Sequence, residues 1–345
     1  MLKDTAQKFV DLTEKDGLYV GLSPWVKEKT PGFIIIGEKF YDLATGYSGT
    51  EADLLELLSP TLHLPELPED SVLQCINNVA AAYFSEQLPG SRAEQYFSDR
   101  GFQKQEMKQF GLGASPSFGI KLFTRLVENG FKEDDILRSG LVKEKDGKKY
   151  DTFYNRAMFT IRNRAGQVIG FGGRVMEKDA KACKYLNSKE TNLFQKRESL
   201  YMMDVAIQET CNAYILCEGY MDVLAFHKAG VTNAVASLGT ALTEQQASLL
   251  ATKPRVYICY DMDSAGIAAK KKAIPVLMKK GIDIRILSVP NGKDPDEWLK
   301  TIPKEEKKKA LLKLLEKAQS AADFLSETEK EGEEILKVSM MKRPW

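Results

Sequence analysis

The sequence has few cysteines, no CxxC pair and no long apolar run. Its five cysteines are scattered along 345 residues, a pattern typical of buried free thiols in a reducing cytoplasm and not of a disulfide framework. No apolar run approaches the roughly 20 residues that a transmembrane helix requires. The first four residues, MLKD, lack the apolar stretch of a secretory signal peptide. We therefore expect a cytoplasmic protein with no membrane partner.

Charged residues are balanced in number but not in position. The net charge is +1, with 43% hydrophobic and 28% charged residues, which is an ordinary globular composition. Residues 41–70 contain seven acidic and no basic side chains, whereas residues 140–200 contain fourteen basic and seven acidic ones. A basic stretch of this kind attracts a polyanion such as a nucleic acid. A solvated surface strand pair explains it equally well, so charge alone leaves both alternatives open.

Changes of pattern along the chain predict several domains. The length suggests two or three, and the proline-rich acidic stretch SPTLHLPELPED indicates a linker. Helical spacing follows, and then RAMFTIRNRAGQVIGFGGRV alternates as two strands around a turn at Arg164-Ala165-Gly166. The predicted divisions are a small β-ribbon-like module at 1–58, a linker at 59–72, a mixed α+β basic subdomain at 73–205, a second subdomain at 206–300 and a helical tail at 301–345.

Short apolar runs and helical segments alternate within the second subdomain. The runs AYILC, NAVAS, RVYICY and DIRILSV are typical of buried strands, and the segments between them are helical in character. The order β-α-β-α-β-α-β favours a parallel sheet with right-handed crossovers. The predicted fold class is therefore α/β, with a parallel sheet flanked by helices.

Acidic residues follow three of the four predicted strands. The carboxyl ends of parallel strands meet at one edge of a sheet, where ligands bind. Asp261 and Asp263 are two residues apart, so an extended chain places them on one face. For a single residue such as Asp263, a helix N-cap is the better explanation. The whole set favours a divalent cation such as Mg²⁺, which binds a few carboxylates together with water and phosphate oxygens. The set comprises Glu218, Asp222, Asp261, Asp263, Asp294 and Asp296.

The motifs around these acids resemble those of a known family. The spacing EGYMD…YDMDSAG is similar to the TOPRIM module, in which a Glu follows the first strand and an Asp-x-Asp pair follows the third. The segments EGYMDVLAFHKAGVTNAVASLGTALT, GKDPDEWL, RAMFTIRNRAGQVIGFGGRV and KYLNSKETNLFQKRESLY resemble bacterial replicative primases of the DnaG type. The resemblance implies a TOPRIM parallel sheet preceded by the basic α+β subdomain.

The resemblance also implies roles for individual residues. Glu218, Asp261 and Asp263 are the implied catalytic residues, which hold Mg²⁺ or Mn²⁺. A second ion or its waters are implied at Asp222, Asp294 and Asp296. The residues implied to contact template phosphates and the incoming nucleotide are Arg100, Arg156, Arg174, Lys184, Tyr185, Asn187 and Lys196. The implied partners are a single-stranded DNA template and ribonucleoside triphosphates. A replicative helicase is a further family partner, although no segment here resembles the family's helicase-docking domain.

Two departures from the family pattern lie in the predicted core. Of three arginines that usually precede the strand at Met158, only Arg156 remains, which weakens the expected grip on the nucleic acid strand. The centre of the Asp-x-Asp pair, usually glycine, is Met262. A methionine at that position narrows the entry to the expected metal site unless its side chain points away.

A third departure concerns zinc. The N-terminal frame SPWVKEKTPGF is similar to the zinc ribbon of the family, but no Cys or His stands at its ligand positions, which hold Ser23, Val26, Asp42 and Thr45. Valine cannot bind zinc, and hydroxyl groups are poor ligands for it. We therefore predict no zinc, with apolar packing in place of the folding energy that the metal supplies. The acidic tail of the module repels DNA, so we expect the module to dock on protein.

The sequence thus predicts a DNA primase that makes short RNA primers on a DNA template by Mg²⁺-dependent nucleotidyl transfer. Two alternatives remain open. The first is a catalytically weak, primase-like nucleic-acid-binding protein of a mobile element or phage. The second is a TOPRIM nuclease, in which water is the nucleophile.

Overall fold

The structure is a computed structural model that describes residues 2–15, 18–26, 31–58, 69–177, 182–239, 241–290 and 294–329. The chain divides into two compact units. Unit 1 contains Met1–Ile161 and Gln167–Gln195, and unit 2 contains Arg162–Gly166 and Lys196–Trp345. Most of the predicted linker 59–72 lies outside the described residues, and its last four residues already belong to a helix that begins at Glu69.

Unit 1 begins with a small module built on an antiparallel sheet. The five strands pair in chain order, each with the next. They are β1 (Thr13–Lys15), β2 (Leu18–Gly21), β3 (Phe33–Ile36), β4 (Lys39–Asp42) and β5 (Ser48–Gly49), flanked by helices α1 (Leu2–Ala6) and α2 (Glu51–Leu57).

Four aromatic rings form the centre of this module. Phe33 and Phe40 stack with their ring centroids 5.6 Å apart, and both side chains are fully buried. Trp25 lies 5.9 Å from Phe40, and Tyr47 meets the Trp25 ring edge-on at 5.0 Å. Aromatic pairs of this geometry stabilise a core beyond the effect of buried area alone. The predicted packing is therefore present at the centre of the module.

The former zinc-ligand positions close turns in this module. The Asp42 carboxylate is buried and accepts hydrogen bonds from the backbone N–H and the hydroxyl of Thr45, both at 2.7 Å. The Ser23 hydroxyl oxygen accepts the backbone N–H groups of Trp25 at 3.2 Å and Val26 at 3.4 Å. The side chains of Ser23, Asp42 and Thr45 are thus engaged in local hydrogen bonds. The absence of zinc itself stays a prediction.

The rest of unit 1 packs helices against a second antiparallel sheet. The helices are α3 (Glu69–Glu86), α4 (Arg92–Ser98), α5 (Lys104–Gln109), α6 (Lys121–Glu128) and α7 (Glu133–Arg138). The strands are β6 (Leu112–Ser115), β7 (Val142–Lys145), β8 (Lys148–Asp151), β9 (Arg156–Arg162), β10 (Val168–Val175) and β11 (Tyr185–Asn187). The sheet has the strand order β11-β10-β9-β6, and β7 and β8 form a separate two-stranded sheet. The predicted strand pair is β9 and β10, and its turn is closed by a hydrogen bond from Gly166 N–H to the Asn163 carbonyl at 2.9 Å.

Unit 2 contains the predicted parallel sheet. Its strand order is β13-β12-β14-β15-β16, and the first four strands are mutually parallel. The strands are β12 (Ala213–Cys217), β13 (Ala234–Ala236), β14 (Arg255–Cys259), β15 (Asp283–Ile286) and β16 (Gln319–Ser320). The helices are α8 (Met203–Ala206), α9 (Tyr220–Lys228), α10 (Glu244–Leu250), α11 (Ser264–Met278), α12 (Pro295–Lys300) and α13 (Lys307–Glu316), with a further helical stretch over 321–329. The α/β fold class is confirmed, and the antiparallel edge strand β16 is an addition that the helical prediction for 301–345 did not contain.

No helix in the described part of the chain combines the length and apolar character needed to cross a membrane. The helices of unit 2 instead bury apolar side chains against the sheet, as in Ile274 and Leu277 of α11.

We expect the N-terminal module to depend on its aromatic core and not on a metal. Phe40→Ala removes a fully buried ring and should lower the local free energy of unfolding by about 3–5 kcal/mol, whereas Tyr41→Ala, at a neighbouring exposed ring, should change it little. The measurement is hydrogen exchange of peptides within 31–58 in increasing urea. Addition of EDTA should leave the exchange of the unmodified protein unchanged, and faster exchange in EDTA would show that the module holds a metal.

Candidate active site

Two acidic side chains meet where neighbouring parallel strands end. Glu218 follows β12 and Asp261 closely follows β14, and these strands are aligned so that Cys217 lies beside Cys259. The Glu218 carboxylate accepts the backbone N–H of Asp261 at 3.3 Å. The two residues therefore lie at the same sheet edge, as the sequence predicted from their positions after the strands.

Asp222 is the buried member of the acidic set. Its side chain is 9% exposed, and its carboxylate accepts the backbone N–H of Gly219 at 3.1 Å, at the start of α9. Burial raises the pKa of Asp222 well above its usual range, and the negative charges of Asp294 and Asp261 raise it further. Because α12 packs against α9, the acids of the GKDPDEW segment are brought to the same edge of the sheet.

Two of the acids are also helix caps, which was the alternative explanation for Asp263. Its carboxylate accepts the backbone N–H of Gly266 at 2.8 Å and caps α11. Asp294 accepts the backbone N–H of Glu297 at 2.7 Å and caps α12. Each of these bonds uses one carboxylate oxygen, so capping and metal binding are compatible roles. Asp296 is mostly buried and pairs with Lys300 at 2.6 Å.

The electrostatics of the cluster fit a divalent cation. Burial raises the pKa of Asp261 to about 6, and the neighbouring charges of Glu218, Asp294 and Asp263 contribute further. Such mutual repulsion is relieved when a cation binds. Among the residues that the structure describes, no group of three or more His, Cys, Asp or Glu side chains is arranged to hold a metal ion. The metal roles of Glu218, Asp261 and Asp263 stay a prediction, and Mg²⁺ bound there would take water and substrate oxygens as its further ligands.

Gly266 allows the first turn of α11 to lie close to the backbone of Asp261. A Cβ atom at this position would lie 2.2 Å from the carbonyl oxygen and 2.7 Å from the carbonyl carbon of Asp261. Because these are backbone atoms, they cannot move aside as the end of a side chain can. The glycine therefore fixes how α11 begins relative to the Asp261 loop.

Most of the predicted nucleic-acid residues lie in unit 1, on and beside β10 and β11. Arg174 and Tyr185 are directly opposite each other in this strand pair. The guanidinium carbon of Arg174 is 4.4 Å from the centroid of the Tyr96 ring, and that of Arg100 is 3.9 Å from the same centroid. The structure therefore joins two predicted arginines through Tyr96, which the sequence analysis missed. Its signal was an aromatic residue four positions before Arg100 in the sequence.

Arg156 differs from the other predicted residues because it is 3% exposed. Its guanidinium donates hydrogen bonds to the carbonyls of Gly173 at 2.9 Å and Cys183 at 3.1 Å. A Cβ at Gly173 would lie 2.9 Å from Arg156 Cδ, so the glycine makes room for the arginine. This placement favours a structural role in holding β10 to the segment before β11. A template contact by Arg156 remains an untested prediction.

The remaining predicted residues are placed differently. Lys184 and Tyr185 are exposed, and Asn187 is half-buried opposite Gly172. Lys196 lies in unit 2, where a short 3₁₀ turn over Lys196–Glu198 carries it. The carbonyl of Lys196 accepts a hydrogen bond from the Gln246 side chain at 2.8 Å, which fixes the backbone from which the lysine projects.

Comparisons with known proteins agree with the geometry. A family model described as the DNA primase catalytic core, N-terminal domain, matches residues 83–207, and a Toprim-like model matches residues 215–299. The DNA primase of Clostridium acetobutylicum is 36% identical over 349 residues, which cover 93% of this chain and 58% of that protein. The crystal structure of the Aquifex aeolicus primase, with its zinc-binding and RNA polymerase domains, is 31% identical with a TM-score of 0.72, and the match covers 96% of this chain and 87% of that one. The chain belongs to the DnaG family of DNA primases.

Membership of the DnaG family confirms the resemblance and the expected fold. A DnaG primase catalytic domain solved with bound ssDNA is also similar, with 33% identity and a TM-score of 0.66 over 75% of this chain and 85% of that one. The chain spans 58% of the length of the Clostridium acetobutylicum primase and 57% of that of the Halalkalibacterium halodurans primase, to which it is 34% identical.

We expect Gly266→Ala to disrupt the acidic edge of this DnaG-family core. The added methyl group would overlap the Asp261 carbonyl and should lower the free energy of unfolding by about 1–3 kcal/mol. The measurement is urea unfolding, with Ser264→Ala at an exposed position of the same helix as the control. An alanine variant as stable as the unmodified protein would show that the loop adapts and that glycine is not required there.

Proposed function

We propose that the protein is a DNA primase that synthesises short RNA primers on a single-stranded DNA template. The observation that supports this most directly is the meeting of Glu218 and Asp261 at the carboxyl end of the parallel sheet, in a chain of the DnaG family. The substrates are ribonucleoside triphosphates. The reaction joins the 3′-hydroxyl oxygen of one nucleotide to the α-phosphorus of the next, and pyrophosphate leaves.

The acidic residues have distinct parts in this proposal. Glu218, Asp261 and Asp263 would hold Mg²⁺, which when bound neutralises phosphate charge and orients the reacting oxygens. Asp222 is buried deeper and would hold the backbone beside Glu218 in place, because its carboxyl group accepts the N–H of Gly219. Asp294, which caps α12, would assist through its second carboxylate oxygen. Mn²⁺ suits the same oxygen ligands and serves as a probe for Mg²⁺.

The template-binding part of the proposal rests on unit 1. Arg100 and Arg174 provide two guanidinium groups that the Tyr96 ring holds in place, and guanidinium groups bind phosphates with fixed geometry. Tyr185 is an exposed ring opposite Arg174, where it can stack on a base. The related DnaG catalytic domain solved with ssDNA supports a single-stranded template for this chain.

Primer synthesis should depend on Asp261. The protein is incubated with single-stranded DNA, ribonucleotides and Mg²⁺, and RNA products are separated on a gel. Asp261→Asn removes a negative charge from the cluster and should lower the rate at least about 100-fold, because the metal loses a charged ligand. Asp146→Asn changes the same side chain on an exposed turn and should leave the rate unchanged.

The same assay separates primase activity from the alternatives. Shortened DNA in place of RNA products would identify a nuclease. Neither product, with DNA binding intact, would identify a binding protein without catalysis. Either of these outcomes would overturn the proposed function.

Single-stranded DNA binding should depend on Tyr96 and its two arginines. Arg174→Ala removes one phosphate contact and should reduce the slope of log affinity against log salt by about 0.7. Tyr96→Leu keeps both charges but removes the ring between them, and should weaken binding roughly fivefold. The measurement is fluorescence anisotropy with labelled DNA at several salt concentrations, and Lys132→Ala at an exposed site is the charge control. An unchanged salt slope for Arg174→Ala would show that this residue does not contact the template.

A further inference from the structure

A lysine is completely buried next to the acidic edge of unit 2. Lys270 lies on α11 and has no exposed surface. Its ammonium group donates to the sulfur of Met262 at 3.0 Å and lies 5.9 Å from the centroid of the Phe324 ring. Within the described parts of the chain, no carboxylate forms an ion pair with it. A thioether is only a weak acceptor, so these contacts alone do not explain why a charged group is buried here.

The charge that compensates Lys270 is in the acidic cluster. Burial lowers the pKa of Lys270, while Cys259, Asp261 and Glu218 act in the opposite direction. The residue that the ammonium group contacts, Met262, stands between Asp261 and Asp263 in the chain. An isolated buried ammonium is strongly unfavourable. The lysine and the carboxylates therefore form one cluster of interacting charges.

Met262 connects the lysine to the acidic loop. It lies between Asp261 and Asp263, and its sulfur contacts the ammonium group eight residues further along the chain. The methionine side chain thus points toward α11, where it holds the lysine, and this explains how a large residue is accommodated between two acids. The loop and the helix are connected at this point by a side-chain contact as well as by the Asp263 cap.

We propose that Lys270 is a positioning residue of the metal site: its ammonium group, held by Met262, is an internal cation that partly neutralises the carboxylate cluster before a divalent ion binds. This inference rests on the proposed metal-dependent function. Two charges of the same sign near one carboxylate set repel each other. Lys270 therefore weakens the binding of the divalent ion at a pH where the carboxylates are ionised. The site binds the ion less tightly than the same carboxylates would without the lysine.

Metal binding without DNA or nucleotides tests this directly. Mn²⁺ is titrated into the full chain at pH 8 and followed by calorimetry and by electron paramagnetic resonance of free Mn²⁺. Lys270→Met removes the charge while keeping a side chain of similar length, and should tighten Mn²⁺ binding roughly tenfold. Lys272→Met makes the same change at an exposed position of α11 and should alter the affinity less than about twofold, since exposed charges are screened.

Three outcomes of the Mn²⁺ titrations would contradict the proposals. If Lys270→Met is folded by circular dichroism and binds Mn²⁺ as the unmodified protein does, the inference is wrong. If Lys270→Met and Lys270→Gln both fail to fold, it is also wrong, because the ammonium is then needed by the core and not by the metal site. If the unmodified protein binds no Mn²⁺, or Asp261→Asn binds it equally well, the proposed metal-dependent function fails instead.

Discussion

Repulsion between carboxylates at one sheet edge is the constraint on which the rest of unit 2 depends. Parallel pairing of β12 and β14 brings Glu218 and Asp261 together, and the packing of α12 against α9 adds further acids. Burial raises the pKa of Asp261 to about 6, and the neighbouring carboxylates raise it further. A bound cation would stabilise the ionised carboxylates, which makes the site suitable for binding metal and phosphate together.

Two features of the fold stabilise the negative charge of the carboxylates before any ion binds. Helix N-termini accept part of it, because Asp263 and Asp294 cap α11 and α12 and each interacts with backbone N–H groups and the positive end of a helix. Lys270 provides the other part from within the core. Because a cap fixes the position of a carboxylate, the same bonds that stabilise the helices also preorganise the site.

The fold of unit 2 could be predicted because each of its strands and helices has a recognisable sequence pattern of its own. Strands buried on both faces appear as continuous apolar runs, and their order with helices allows one main topology. The residues that sequence reasoning missed depend on distant packing. Tyr96 acquires its role only because Arg174 lies over its ring. Lys270 belongs to the run KKK, which is typical of a solvated helix face, and only the position of α11 in the fold determines which lysine is buried. The strand β16 is two residues long, too short to give a pattern.

The N-terminal module folds around an aromatic core, and other residues stand where the family has its zinc ligands. A module of fewer than 60 residues rarely has enough core to be stable alone. Here the sulfur of Cys75, on α3, lies against Gly46 of the module. Burial raises the pKa of Cys75 to about 12, and the nearby Asp42 carboxylate contributes. The buried thiol of Cys75 therefore packs as a small apolar group, and its contact with Gly46 adds to the packing that stabilises the module.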